Sequence, residues 1–233
     1  MSMEPPPPPP PPPPGGTGGY GQPPAPGSIS VGDAVSYGWN AYWKNVGPLV
    51  VIAIVVIAIN LVVGLIAGAT GSVVGQVLVQ FIGFFVSMLI SLGWIRVSLE
   101  VTRGVKPEVG DLFKFEGYGP YILASLLFAL GFYVGLILCI VPGIIFAVAF
   151  GFYGFVIAER GEGMGVIDSL KESADLTRGH RWQLFGLGIV LLLINVVGAI
   201  LCGIGLIFTL GITIIAWAYV YRILSGEAVS AWA

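Results

Sequence analysis

Residues 49–69 read LVVIAIVVIAINLVVGLIAGA, 21 positions without an ionisable side chain. A bilayer's hydrocarbon core needs about 20 predominantly apolar residues per helix, so this stretch alone crosses a membrane once. The rest of the 233-residue chain agrees with it. Apolar residues make up 56% and charged ones 9%, against roughly 25% charged in an average globular chain, and the mean hydropathy is +0.94. That balance excludes a soluble enzyme, a nucleic-acid-binding domain and a secreted disulfide scaffold. The formal net charge of -2 likewise gives no reason to expect nucleic acid as a partner.

Working outward, residues 70–75 form an uncharged turn and the chain returns from Gln76 to about Glu100. Upstream, Ser30 and Asp33 have the spacing of a capping box. Val31, Val35, Trp39, Tyr42, Trp43 and Val46 then recur on one helical face, opposite Asp33, Ser36, Asn40 and Lys44. This predicts an amphipathic helix lying in the membrane interface, with Pro48 at the start of the helix that follows it.

The pattern recurs twice. Val109-Gly110-Asp111 echoes Val31-Gly32-Asp33, and Tyr118-Gly119-Pro120 echoes Val46-Gly47-Pro48. Residues 121–140 cross, Pro142-Gly143 turns and 144–158 returns. Val166-Ile167-Asp168 opens a third copy, in which 183–201 crosses, 202–205 turns and 206–221 returns. The expected fold is therefore all-α, a polytopic membrane protein of six transmembrane helices in three hairpins, each preceded by an interfacial amphipathic helix. The units are 29–101, 108–158 and 164–224 within a membrane domain of 29–226, followed by a short tail at 227–233.

Residues 1–28 differ in kind. The proline run at 5–14 favours polyproline II, and Gly/Pro-rich sequence up to residue 27 cannot bury enough apolar surface to offset its ordering entropy. A disordered cytoplasmic tail is expected, either a solvated extension or a ligand for a proline-binding partner. No signal peptide is read here, because the first apolar run is too long for one and has no cleavage site.

The turns at 70–75, 140–143 and 202–205 contain no Lys or Arg, and every basic residue falls on the opposite side of the spans. The positive-inside rule assigns that side to the cytoplasm. Both termini are then cytoplasmic in a bacterial inner membrane, and a cysteine at Ser72 should label from outside while one at Ser169 should not. Trp43, Trp94, Trp182 and Trp217 cluster toward the charged side as interface anchors.

Candidate functional residues are few. Arg178, His180, Arg181 and Trp182 precede the fifth span, and read either as ordinary anchoring or as contacts to an anionic lipid headgroup. Asn60, Gln76, Gln80 and Asn195 are the strongest polar groups inside spans. They are expected to hydrogen-bond between helices or, with Asn60, Gln80 and Asn195 converging, to line a transport cavity. Cys139 and Cys202 sit at matching turn positions, and are read as two buried apolar thiols or a disulfide. Gly64/Gly68 and Gly131/Gly135 are read as helix-packing pairs, and Asp168, Lys171, Glu172, Asp175 and Arg178 as a solvated charged face. One histidine cannot assemble a metal site or a catalytic triad, so no catalytic, cofactor or metal residues are expected.

The stretch Pro142-Gly143-Ile144 through Glu159-Arg160, then Asp168-Ser169-Leu170, Ser173, Leu176-Thr177-Arg178-Gly179, Trp182 and Phe185, resembles the membrane domain found in some glycerophosphoryl diester phosphodiesterases and related bacterial integral membrane proteins. The tail is similar to those of actinobacterial proline/glycine-rich transmembrane proteins. The resemblance implies a six-helix fold over residues 30–226. It implies no diesterase activity, because in that family catalysis resides in a separate soluble barrel for which this chain has no room. The resulting expectation is a non-enzymatic scaffold or accessory protein that contacts membrane lipids, other membrane proteins or a partner for its tail. The competing expectation is a small transporter, flippase or channel.

Overall fold

The computed structural model describes residues 29–114, 116–200 and 204–231; the proline-rich tail and Cys202 lie outside them. Nine α-helices occupy the described residues: α1 Val31–Lys44, α2 Val46–Ala69, α3 Val73–Thr102, α4 Tyr118–Leu138, α5 Ile140–Phe150, α6 Tyr153–Arg160, α7 Val166–Leu176, α8 Arg181–Ile200 and α9 Ile204–Leu224. Short 3-10 turns lie at Val109–Phe113 and Gly161–Gly163, and no strand is present among the described residues. Six segments are long and apolar enough to cross a membrane: Val46–Ala69, Val73–Thr102, Tyr118–Leu138, Ile140–Gly163, Arg181–Ile200 and Gly205–Leu224. The chain is an all-α, multi-pass membrane protein.

Local chemistry sets several helix ends. The Ser30 hydroxyl accepts the Asp33 amide at 3.3 Å and starts α1, and the Ser72 hydroxyl accepts the Gly75 amide at 3.1 Å and starts α3, three residues earlier than the expected return. Gly71, at φ 61, supplies the left-handed step of that turn. Pro142-Gly143 does not form the second turn. The turn is at Cys139, in extended backbone, and Pro142 falls in the first turn of α5, where its missing N–H costs no helical bond.

The expected helix from 144 to 158 is broken at Gly151-Phe152. A break exposes backbone polar groups that hydrocarbon cannot solvate, and α7 satisfies them. The Ser173 hydroxyl accepts the Phe152 amide at 3.0 Å and donates to the Ala149 carbonyl at 3.2 Å, which also accepts the Thr177 hydroxyl at 3.1 Å.

The helices preceding the spans differ from one another. α1 is amphipathic, and its buried face of Ala34, Gly38, Ala41 and Tyr42 packs lengthwise on α9. The two run antiparallel, with Tyr37 stacked on Tyr219 at 4.4 Å and Trp43 stacked on Phe208 at 5.7 Å. Gly38 permits this approach, since a Cβ there would stand 2.7 Å from the Ile212 carbonyl oxygen. Among the described residues ahead of α4 there is no amphipathic α-helix, and the five-residue 3-10 turn Val109–Phe113 stands in its place. α7 precedes α8 and packs beneath α5 and α6.

α2 with α3, α4 with α5 and α8 with α9 pack side by side. Large buried side chains gather toward the charged ends of these helices, in one cluster around Leu92, Leu99, Ile157, Leu187 and Val220 and a second around Tyr42, Leu49, Ile52, Leu112 and Ile215. Toward the turn ends the buried positions are small: Ala67, Gly83, Gly135, Gly143 and Gly198. These glycines face their own partner helix, Gly83 against Val63, Gly135 against Gly143, and Gly198 against Gly205. Val73, Ile137, Leu138 and Ile200 are at least 75% exposed there, a surface suited to lipid or to other helices.

Candidate functional site

The polar groups inside the spans have three different fates. Asn195 is a genuine interhelical contact: its Nδ2 donates to the Leu191 carbonyl and to the Thr213 hydroxyl, both at 2.9 Å, linking α8 to α9. Its Oδ1 and the Thr209 hydroxyl are buried without a partner. Asn60 is exposed and spends one Nδ2 hydrogen on its own helix, at the Val56 carbonyl 2.8 Å away. Gln76 and Gln80, also exposed, line an open groove of about 540 Å³ together with Gly64, Ala67 and Gly68. Asn60, Gln80 and Asn195 therefore do not converge on one cavity; the first two belong to α2 and α3 and the third is held in a helix contact.

The glycine pairs divide in the same way. A Cβ at Gly131 would meet the Phe146 ring at 2.3 Å, and one at Gly135 would meet Gly143 Cα at 2.8 Å, so this pair packs α4 against α5. Gly64 and Gly68 meet nothing within 4 Å.

The stretch before the fifth span is open. Trp182 is 86% exposed, Arg178 pairs with Asp175 at 3.3 Å, and His180 Nδ1 lies 3.1 Å from Gln183 Oε1. Arg178 and His180 line a shallow depression of about 640 Å³ with Glu172, Asp175 and Leu176 from α7 and Ile223 and Leu224 from α9. Its walls carry both signs of charge, and Glu172 is already bonded to Arg160 at 2.5 Å. Among the described residues no group of three or more His, Cys, Asp or Glu side chains could hold a metal ion.

The most connected polar assembly was invisible to motif reading. The Glu159 carboxylate, at the end of α6, accepts from Arg103 at the end of α3 and from Arg222 on α9 at 3.3 Å. Arg222 is 7% exposed; it also donates to the Ala228 carbonyl through Nε at 3.1 Å and Nη2 at 2.9 Å, and pairs with Glu227 at 2.8 Å. The Ser230 amide donates to the Thr102 carbonyl at 2.8 Å, so the final segment is strapped across the ends of α3 and α9. The only sequence signal was an arginine near the end of a span.

A second assembly fixes the α3–α4 connection. Arg96, 7% exposed, donates to the backbone carbonyls of Lys114 and Glu116. Lys114 Nζ reaches Asp111 at 2.8 Å and Glu100 at 3.2 Å, while the Glu108 amide donates to Asp111 Oδ2 at 2.8 Å. Burial alone would raise the Asp111 carboxyl. The hydrogen bonds from Lys114 and the Glu108 amide, with the Lys114 charge, help to outweigh burial and hold Asp111 below its ordinary value. The same bonds, to Asp111 and Glu100, hold Lys114 above its own.

Ser173 and Thr177, part of the motif carrying the resemblance, thus serve the α5–α6 break. Ser173→Ala is expected to leave the Phe152 amide without its acceptor and to cost about 1–3 kcal/mol. Thermal unfolding in a mild detergent checks this, and Ser169→Ala is the comparison, since that hydroxyl bonds only the Val166 carbonyl one turn back and should cost less.

The chain is 25% identical over 244 aligned residues to an uncharacterized protein of Mycobacterium tuberculosis, an alignment covering 89% of this chain and 74% of the relative. An uncharacterized protein of Mycobacterium bovis matches with the same identity and coverage. No solved structure matches. The profile named Domain of unknown function (DUF7847) matches residues 69–230, a stretch holding α3 to α9 with both charged assemblies and the α5–α6 break, and the chain belongs to that family.

Proposed function

We propose that this protein is a non-enzymatic scaffold or accessory protein of a bacterial cytoplasmic membrane, holding other membrane components against the sides of its spans. The observation that carries this reading is the lateral face of α2 and α3, where Asn60, Gln76 and Gln80 are exposed beside a glycine-floored groove. Hydrocarbon offers an amide no hydrogen bond, so such a face suits protein or headgroup partners better than acyl chains. The charged groups, in contrast, are largely engaged with one another and with backbone carbonyls, which suits a rigid platform. The resemblance to phosphodiesterase membrane domains supports an accessory role, because catalysis in that family belongs to a separate barrel. Exposed Trp182 with Arg178, His180 and Arg181 would meet anionic headgroups.

The charged end is assigned to the cytoplasm, with both termini there. Glu159 draws the ends of α3, α6 and α9 to one place, which supports a single charged side, and the positive-inside rule gives its direction. Cys139, expected to be buried, is instead exposed beside the α4–α5 turn, and is a native probe at the opposite end. In intact cells it should react with an impermeant thiol reagent. In a chain whose native cysteines are replaced by serine, Asp168→Cys should stay unlabelled until the membrane is opened. Asp168, 71% exposed, serves better than Ser169, which is fully buried. Labelling of Asp168→Cys alone from outside inverts the assignment.

The scaffold reading is tested by purifying the full chain from native membranes in nanodiscs, with and without residues 1–28, and identifying bound proteins and lipids by mass spectrometry. A stoichiometric protein component supports it, and its loss on tail deletion assigns the tail a partner. A protein that carries lipid only, and moves a solute or lipid across a sealed vesicle, sinks it in favour of transport.

A further inference from the structure

Asn60 sits near the middle of the 24-residue α2, about 21 Å from its start at 1.5 Å per residue. Its side chain is exposed, and one Nδ2 hydrogen is spent on the Val56 carbonyl. The other hydrogen and Oδ1 have no partner among the described residues. Gly64 and Gly68 follow one and two turns further along the same face, and a Cβ at either would meet nothing within 4 Å. Gln76 and Gln80 stand across the groove that these glycines floor. At mid-span no water is present to complete an amide's hydrogen bonds, and the usual solution is a second helix brought close over small residues.

We propose that the occupant of this face is a second copy of the same chain, packed α2 beside α2 about a two-fold axis along the membrane normal. This rests on the scaffold reading and names its first partner. The depth of the amide selects the occupant. Copies of one chain insert in one orientation, so that axis brings Asn60 opposite Asn60 of the second copy at the same depth. An amide carries donors and an acceptor, so two identical amides satisfy each other, and this self-complementarity asks nothing further of the partner. A different protein would have to carry its own polar group at the same level. Gly64 and Gly68 leave the space for two backbones to approach, and Gln76 and Gln80 flank the seam toward the turn end.

The test uses the full chain in nanodiscs and in vesicles over a range of protein-to-lipid ratios, with stoichiometry read by single-molecule photobleaching. A dimer is expected. Asn60→Leu and Gly64→Ile should each weaken it roughly tenfold or more, the scale of losing an interhelical amide contact with its close packing. Asn60→Gln, which keeps the amide, should retain most of the association. Ala58→Ile should leave it unchanged, because Ala58 is exposed and lies two residues, about 200°, around the helix. The melting temperature of each variant is read alongside. Gly64→Ile fills open space and should melt like the parent, so a lost dimer in that variant is not a lost fold.

A monomer at every ratio overturns the proposal, as does a dimer indifferent to both Asn60→Leu and Gly64→Ile. A different membrane protein that co-purifies stoichiometrically and is released by Asn60→Leu also overturns it, while leaving the scaffold reading intact. A monomer that binds no protein at all removes both.

Discussion

Arg222→Met is expected to lower the unfolding free energy of the protein in detergent by about 3–5 kcal/mol, the usual cost of removing one partner from a buried charge network. The side chain is 8% exposed and meets Glu159 and Glu227, and it donates twice to the Ala228 carbonyl. Methionine keeps much of the volume, so the loss reads the hydrogen bonds and not a cavity. Two carboxylates then lose an arginine each, Glu159 keeping Arg103, and the final segment loses its side-chain tie to α9. Arg222→Lys should recover little, because an ammonium cannot reproduce the planar fork. Chemical denaturation followed by tryptophan fluorescence measures the loss. Limited proteolysis should show residues 226–231 released before the spans open. An Arg222→Met protein as stable as the parent would mean that Glu159 is held by Arg103 alone.

The second large effect is expected at Gly93. A Cβ there would lie 2.4 Å from the Leu112 carbonyl oxygen and 2.6 Å from Leu112 Cα, and both are backbone atoms that cannot rotate away. Gly93→Val must therefore push the Val109–Phe113 turn off α3. With the turn go the fully buried Leu112, the Lys114 contacts to Asp111 and Glu100 and the Arg96 clamp on the connection. A loss of about 3 kcal/mol is expected, the upper end of ordinary overpacking. Gly93→Ala should show most of it, even though alanine gains about 1 kcal/mol of helix propensity over glycine. Gly64→Ala is the matched comparison. It makes the same chemical change in a neighbouring span, but its Cβ enters open space, so propensity alone predicts a neutral or slightly stabilising result. Equal effects at the two glycines would mean that the α3–α4 connection is not seated on α3 as described.

These variants mark where sequence reading runs out. Gly64 and Gly93 look alike in the chain, each a glycine within an apolar run, and the packing signature gave Gly64/Gly68 the same reading as Gly131/Gly135. Only the fold separates a glycine that admits a backbone, Gly93, from one that admits a ring, Gly131, and from one that faces open space, Gly64. The amides behave likewise. Asn60 and Asn195 occupy similar sequence contexts and both bond the carbonyl four residues back, yet only Asn195 reaches another helix, because Thr213 of α9 stands opposite it.

What the sequence by itself determined was what apolar length and one helix cap govern. The six spans follow from apolar length, since a segment that cannot be hydrated must cross the bilayer wherever it sits in the chain. The start of α1 follows from Ser30, whose hydroxyl acts within three residues, whereas the Ser72 cap set α3 three residues ahead of the expected return. What only the tertiary structure decided was which distant groups satisfy one another. It put Pro142 inside α5, broke the fourth span at Gly151 and repaired the break with Ser173 and Thr177, turned α1 onto α9, and gathered Arg103, Glu159 and Arg222 from three separate stretches. A helix break, a buried arginine or an amphipathic face is tolerable only when another element supplies the missing contact. That contact depends on positions far apart in the chain, which no local pattern encodes.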